Sequence, residues 1–132
     1  MADLKHRYAG GFPKIGIRPI IDRRKLVKAA TKDMTMELAL AAARALSSEL
    51  KYPDGSPAEC VVNETCISGF REAAECSDRF AKEGVGLIVT VASGWCYPLE
   101  TMETNPLLPH AVWGFNGTER PGAVYMGTLH AA

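Results

Sequence analysis

Net charge is what this 132-residue chain most plainly lacks, because fifteen lysines and arginines cancel fifteen aspartates and glutamates. Apart from Arg23, Arg24, Lys25, Lys28 and Lys32 no basic cluster occurs, so the electrostatic footprint of a nucleic-acid binder is missing. Those five residues read as a solvated face, with anion attraction as the minority alternative. Long hydrophobic runs are absent as well. The longest, Val85 to Ala92, is too short to cross a bilayer, and the polar stretch Met1 to Gly11 has none of the apolar core of a signal peptide. The expectation is a soluble, cytoplasmic protein with no membrane partner. The four cysteines, Cys60, Cys66, Cys76 and Cys96, show no Cys-x-x-Cys spacing and read as reduced thiols rather than as a disulfide or zinc set. A domain of this length buries about two thirds of the surface its unfolded chain exposes, so it needs neither to fold.

Several catalytic and cofactor signatures are missing too. A dinucleotide would want Gly-x-Gly-x-x-Gly after the first strand, where this chain has Arg18-Pro19-Ile20-Ile21-Asp22. There is no Walker loop and no hydroxyl-rich phosphate loop, and the aspartate that a phospho-receiver needs after its third strand is replaced by Ala92-Ser93-Gly94. Of three histidines, His6 lies in a tail and His130 near the last residue, while His110 reads as a surface group preceding a strand rather than as a catalytic base. Glu100 and Glu103 sit in a polar loop and read as solvated. No group shows metal-ligand spacing, so neither a catalytic nor a metal residue is assigned to this chain.

What is present is an alternation of strands and helices. Pro13 to Arg18 reads as a first strand closed by Pro19, which cannot donate to a central ladder. Met34, Leu38, Ala42, Leu46 and Leu50, with Ala45, trace an amphipathic helix over Met34 to Leu50. Tyr52-Pro53-Asp54-Gly55-Ser56-Pro57 is turn chemistry leading into a short strand, Glu59 to Val62. Thr65 or Ser68 could cap a second helix whose face is Phe70, Ala73, Ala74, Ser77, Phe80 and Ala81, with Glu75–Arg79 and Asp78–Lys82 pairs opposite and Gly84 as its left-handed C-cap. Val85 to Val91 is a branched-aliphatic run suited to a strand covered on both faces, and Ala111 to Phe115 is the fourth strand. This spacing predicts an α/β three-layer sandwich with a mainly parallel sheet, Rossmann-like or flavodoxin-like. Residues 1–12 read as an N-terminal extension and 13–132 as one domain. Pro121 opens a last helix that reaches Ala131-Ala132 without a C-cap and reads as cut short.

In open sheets of this type ligands lie beyond the carboxyl ends of the strands. The unusual residues gather there: Arg18, then Thr65 and Cys66, then Trp95 and Tyr97, then Asn116, Glu119 and Arg120. Arg18 offers a five-donor fork for hydroxyls, or else a salt bridge to Asp22 or Glu64, and Trp95 offers a flat apolar face with one donor, or else a core or interface filler. The expected chemistry is a polyol clamp.

Lys14-Ile15-Gly16-Ile17-Arg18-Pro19, Glu59-Cys60-Val61-Val62, Thr65-Cys66-Ile67-Ser68-Gly69, Gly94-Trp95-Cys96-Tyr97 and above all Trp113-Gly114-Phe115-Asn116-Gly117-Thr118-Glu119-Arg120-Pro121-Gly122-Ala123-Val124-Tyr125 resemble, in order, the N-terminal domain of L-fucose isomerase. The resemblance implies a ketol isomerase of cytoplasmic carbohydrate metabolism, converting L-fucose to L-fuculose and D-arabinose to D-ribulose through an enediol, Mn²⁺-dependent and homohexameric. It also implies that the metal ligands lie in later domains, so that this chain alone binds no metal and is inactive, its partners being those domains and neighbouring subunits. Its implied part is a wall of the aldose pocket, carried by Arg18 and Trp95, with Tyr97 and Asn116 added because they share the edge. The alternatives are a free-standing, non-catalytic sugar-binding or oligomer-interface module, and a periplasmic receptor lobe, which the missing signal peptide disfavours.

Overall fold

A computed structural model describes residues 11–96 and 104–114. In chain order it holds β1 (Lys14–Ile20), α1 (Lys25–Glu49), β2 (Cys60–Val62), α2 (Phe70–Glu83), β3 (Val85–Ala92) and β4 (His110–Gly114). The four strands form one all-parallel sheet in the order β2-β1-β3-β4. Successive right-handed crossovers to opposite sides of β1 place α1 and α2 on opposite faces. One face packs Ile15, Ile17, Val89 and Val91 against Ala39 and Ala42 of α1. The other packs Ile20, Ile88 and Ala92 against Ala73, Cys76 and Phe80 of α2. The expected three-layer α/β architecture is therefore the one observed. Among the described residues no helix is long and apolar enough to cross a membrane.

Several boundaries differ from the sequence reading, each for a local reason. β1 does not stop at Arg18 but continues through Pro19 to Ile20. Odd-numbered residues of β1 face β2, since the Ile15 N–H donates to Glu59 and the carbonyls of Ile17 and Pro19 accept from Asn63 and Ile67. The N–H that Pro19 lacks thus faces a neighbour that has already ended at Val62, and no β2 ladder bond is lost. α1 begins nine residues before Met34, because Lys25 to Lys32 is made of good helix formers without an apolar stripe to betray it. A carboxylate oxygen of Asp22 accepts the Arg24 N–H at 2.8 Å just ahead of the first turn. Of the expected stripe of α1, Ala42 is buried and Leu38 and Leu46 pack against the core, but the other fully buried positions are Thr35 and Ala39, and Leu50 is exposed.

α2 likewise buries Ala73, Cys76 and Phe80 while Phe70 is exposed. Its N-cap is Gly69 rather than Thr65 or Ser68; the Glu72 carboxylate reaches back to accept the Ser68 N–H at 2.7 Å. On its outer face the pairs are Arg71–Glu75 and Arg79–Glu83, with Arg79 also on Glu64. Gly84 ends it at φ 78°, the left-handed conformation expected. β4 runs one residue earlier than expected, starting at His110, and Phe115 and the Pro121 helix lie outside the described residues. Of the expected extension, Phe12 is described and stacks on Tyr52 with ring centroids 4.8 Å apart.

Candidate functional site

Among the described residues the carboxyl edge of the sheet is built by four chain segments: the Ile21–Arg24 turn, the start of α1, the β2–α2 loop and the turn after β3. By helix and strand rise α1 is about 37 Å long against about 26 Å for β3, and no residue of α1 before Thr35 is buried, so its first turns reach past the strand ends. Three ties hold that overhang. Lys28 Nζ donates to Ser68 Oγ at 2.7 Å and to Glu72 at 3.2 Å. The Cys66 thiol meets the Lys32 carbonyl at 3.3 Å. The hydroxyls of Thr35 and Ser93 lie 2.5 Å apart, with both residues buried. Between the overhang and the β2–α2 loop is a cavity of about 370 Å³, lined by Lys28, Lys32, Asp33, Glu64, Cys66 and Glu72 among others.

Electrostatics follow from these contacts. Burial works against the Glu72 carboxylate, but hydrogen bonds from Ser68 and Lys28 outweigh it and hold its pKa below the usual carboxylate value. The hydrogen bond from Arg24 is the main cause of a lowered pKa at Asp22. Burial pushes the Cys66 thiol up to about 11 and the Cys96 thiol up to about 12, so neither is a nucleophile near neutral pH.

Trp95 is half-buried in the turn that leaves β3, in the edge position expected. Its neighbour Cys96 is buried in the α2-face core. Arg18 is not open at the edge. It lies inside β1 at 1% exposure on the α2 face, where Nη1 donates to Thr90 Oγ1 at 3.2 Å and Cys76 is a close neighbour. The two anticipated salt-bridge partners pair elsewhere, Asp22 with Arg24 and Glu64 with Arg79. Thr90 Oγ1 is also 2.6 Å from His110 Nε2. Since Arg18 can only donate, the Thr90 proton is available to Nε2, the arrangement that suits a neutral imidazole protonated on Nδ1. Tyr97, Glu100, Glu103, Asn116, Glu119 and Arg120 lie outside the described residues.

Sequence reasoning placed Trp95 in the turn after the third strand but missed the ties of Thr35, Ser93 and Lys28, whose partners lie 40 to 58 positions away. The one available signal was the Thr31, Thr35 repeat on a helix face, since paired threonines at that spacing back-bond and are costly to bury without a purpose.

Among the described residues no group of three or more His, Cys, Asp or Glu side chains is placed to hold a metal ion. They do not fit a manganese site.

A family model described as "L-fucose isomerase, first N-terminal domain" matches residues 12–132. An L-fucose isomerase of Phocaeicola vulgatus is 54% identical over 121 residues, covering 91% of this chain and 20% of that protein. An L-fucose isomerase of Escherichia coli is 49% identical over 122 residues, covering 92% of this chain and 21% of its own length. The chain thus spans about one fifth of the length of these curated relatives. With the motifs in order along the sequence and the described residues forming a sheet of the expected class, the chain belongs to the family of first N-terminal domains of L-fucose isomerase.

Proposed function

We propose that this chain acts as the first domain of a ketol isomerase that interconverts L-fucose with L-fuculose and D-arabinose with D-ribulose, and that it supplies a wall of the sugar pocket rather than the reacting groups. The observation that carries the reading is 54% identity over 91% of the chain to an L-fucose isomerase of which it covers one fifth. Moving a proton between adjacent carbons through an enediol needs a positioned base and an electrophile for the developing oxyanion. Those groups, the Mn²⁺ ion among them, are assigned to the rest of the protein. The same proposal includes a cytoplasmic homohexamer in which this domain meets a neighbouring subunit's pocket.

Within that pocket Trp95 is the sugar-facing group: an indole presents an apolar face to C–H bonds and one N–H donor to a hydroxyl. Tyr97 and Asn116 are proposed beside it. Arg18 joins them where assembly uncovers its guanidinium; in the chain as folded it braces Thr90.

The test assays ketose formation from L-fucose with added Mn²⁺, using the product of the complete reading frame and, separately, the 132-residue chain. Turnover by the first and none by the second is expected. Turnover by the 132-residue chain would overturn the assignment of the reacting groups, and failure of the complete product on both L-fucose and D-arabinose would overturn the activity.

A further inference from the structure

We propose that Thr35 is a positioning residue for Trp95, fastening the Ser93-Gly94-Trp95 turn to helix α1 through a buried chain of hydroxyl groups. The inference rests on the reading of Trp95 as the sugar-facing group.

The direction of the chain follows from proton accounting. Thr35 Oγ1 lies 2.8 Å from the Thr31 carbonyl, which can only accept, so the single Thr35 proton is committed there. The 2.5 Å contact with Ser93 must then be Ser93 donating and Thr35 accepting. Thr31 repeats the pattern, its hydroxyl donating to the Val27 carbonyl at 2.8 Å. Thr35 is wholly buried and Ser93 is 4% exposed, so water does not replace the lost partner if either is removed.

Its position gives the contact its consequence. β3 ends at Ala92, and from Ser93 the backbone leaves the ladder. Gly94 carries no side chain, and a Cβ built on it would meet nothing within 4 Å. Beyond Trp95 the chain dives back through Cys96, which is 1% exposed in the core under α2 and whose thiol donates to the Gly94 carbonyl at 3.3 Å. The Trp95 backbone is therefore flanked by an anchor on each face of the sheet. Cys96 holds it on the α2 side and Ser93, through Thr35, on the α1 side. A side chain at position 35 that cannot accept a hydrogen bond releases one of the two.

Single-tryptophan chains in a Trp113→Phe background make the turn observable, with acrylamide quenching of Trp95 as the readout. Thr35→Val should raise the quenching constant about two-fold, as expected of a segment released from a buried tie, and Thr35→Ser should restore it. Equal quenching in all three chains would overturn the proposal. Should Thr35→Val fail to fold, as circular dichroism would report, Ser93→Ala takes its place: it cuts the same tie while leaving Thr35 bonded to Thr31, and unchanged quenching there is equally fatal. In the complete isomerase, Thr35→Val should raise KM several-fold with kcat little changed, and Thr35→Ser should behave as the parent. Trp95→Ala with an unmoved KM would remove Trp95 from the pocket yet leave the tie, read by quenching, standing. A responsive Trp95→Ala with a silent Thr35→Val would do the reverse.

Discussion

Arg18, Thr90 and His110 show how one buried cation organises its surroundings. Burial disfavours the charged guanidinium, yet arginine stays protonated in proteins, so the cost falls on its neighbours. Burial first and the Arg18 charge second lower the His110 pKa below the ordinary imidazole value. The native chain consequently prefers neutral His110. Its stabilising contribution is complete above the unfolded-state pKa of about 6.5 and is lost as pH falls through the folded value, because the unfolded chain then binds the extra proton. Urea midpoints of the parent chain should therefore drop between about pH 7 and pH 5, and those of His110→Gln should drop less. Parallel lines for the two chains would mean that folding does not lower the His110 pKa. The types of these residues were legible in the sequence, and so was the place of Trp95. The placement of Arg18 was not, because the rule that proline ends a central strand takes no account of which neighbour the missing N–H would face. The Thr35 to Ser93 tie was invisible for a different reason: no local pattern links side chains 58 residues apart.

Elements whose apolar residues are pinned by packing on both sides were the legible ones. β3 carries branched aliphatics that face α1 and α2 alternately, and both its span and the Gly84 turn before it followed from composition. The start of α1 did not, since a helix that overhangs its sheet has no reason to show an apolar stripe in its first turns. The face of α2 was legible at Ala73 and Phe80 but not at Cys76, and Phe70 is exposed. A Cβ on Gly16 would sit 2.5 Å from Phe80 Cε2 and 2.8 Å from Val85 Cγ1, so α2 presses its Phe80 ring against bare backbone, and Cys76 and Ala73 fall in line behind it. Gly16→Ala should overpack this contact and destabilise the chain by about 1–3 kcal/mol in urea unfolding. Adding Phe80→Leu to Gly16→Ala should recover part of the loss, because the ring edge that clashes is removed. An undiminished midpoint in Gly16→Ala would show that α2 can shift away from β1 at no cost.

At the scale of the molecule, alternation of strands and helices was enough to read a parallel sheet with helices on both faces, whereas the strand order was not encoded in any single segment. Among the described residues the observed order leaves β1 and β3 interior and β4 at an edge, with Ala111, Trp113 and Gly114 exposed, Val112 half-buried, and His110 open to solvent except where its ring turns in to meet Thr90. β1 and β3 bury nearly every side chain toward the carboxyl end, while among the described residues β4 pairs with β3 alone. Opening free energy follows burial and contact, so the amides that bond β4 to β3 should exchange with deuterium well before those joining β1 to β3, although both ladders have the same parallel geometry. In a complete isomerase in which further domains cover this edge, β4 should gain protection while β1 changes little. Equal, slow exchange of β4 and β1 in the 132-residue chain would show that the edge is already covered by the chain itself, and the surface offered to the rest of the protein would have to be sought instead along the overhang of α1, where Leu26 stands 84% exposed.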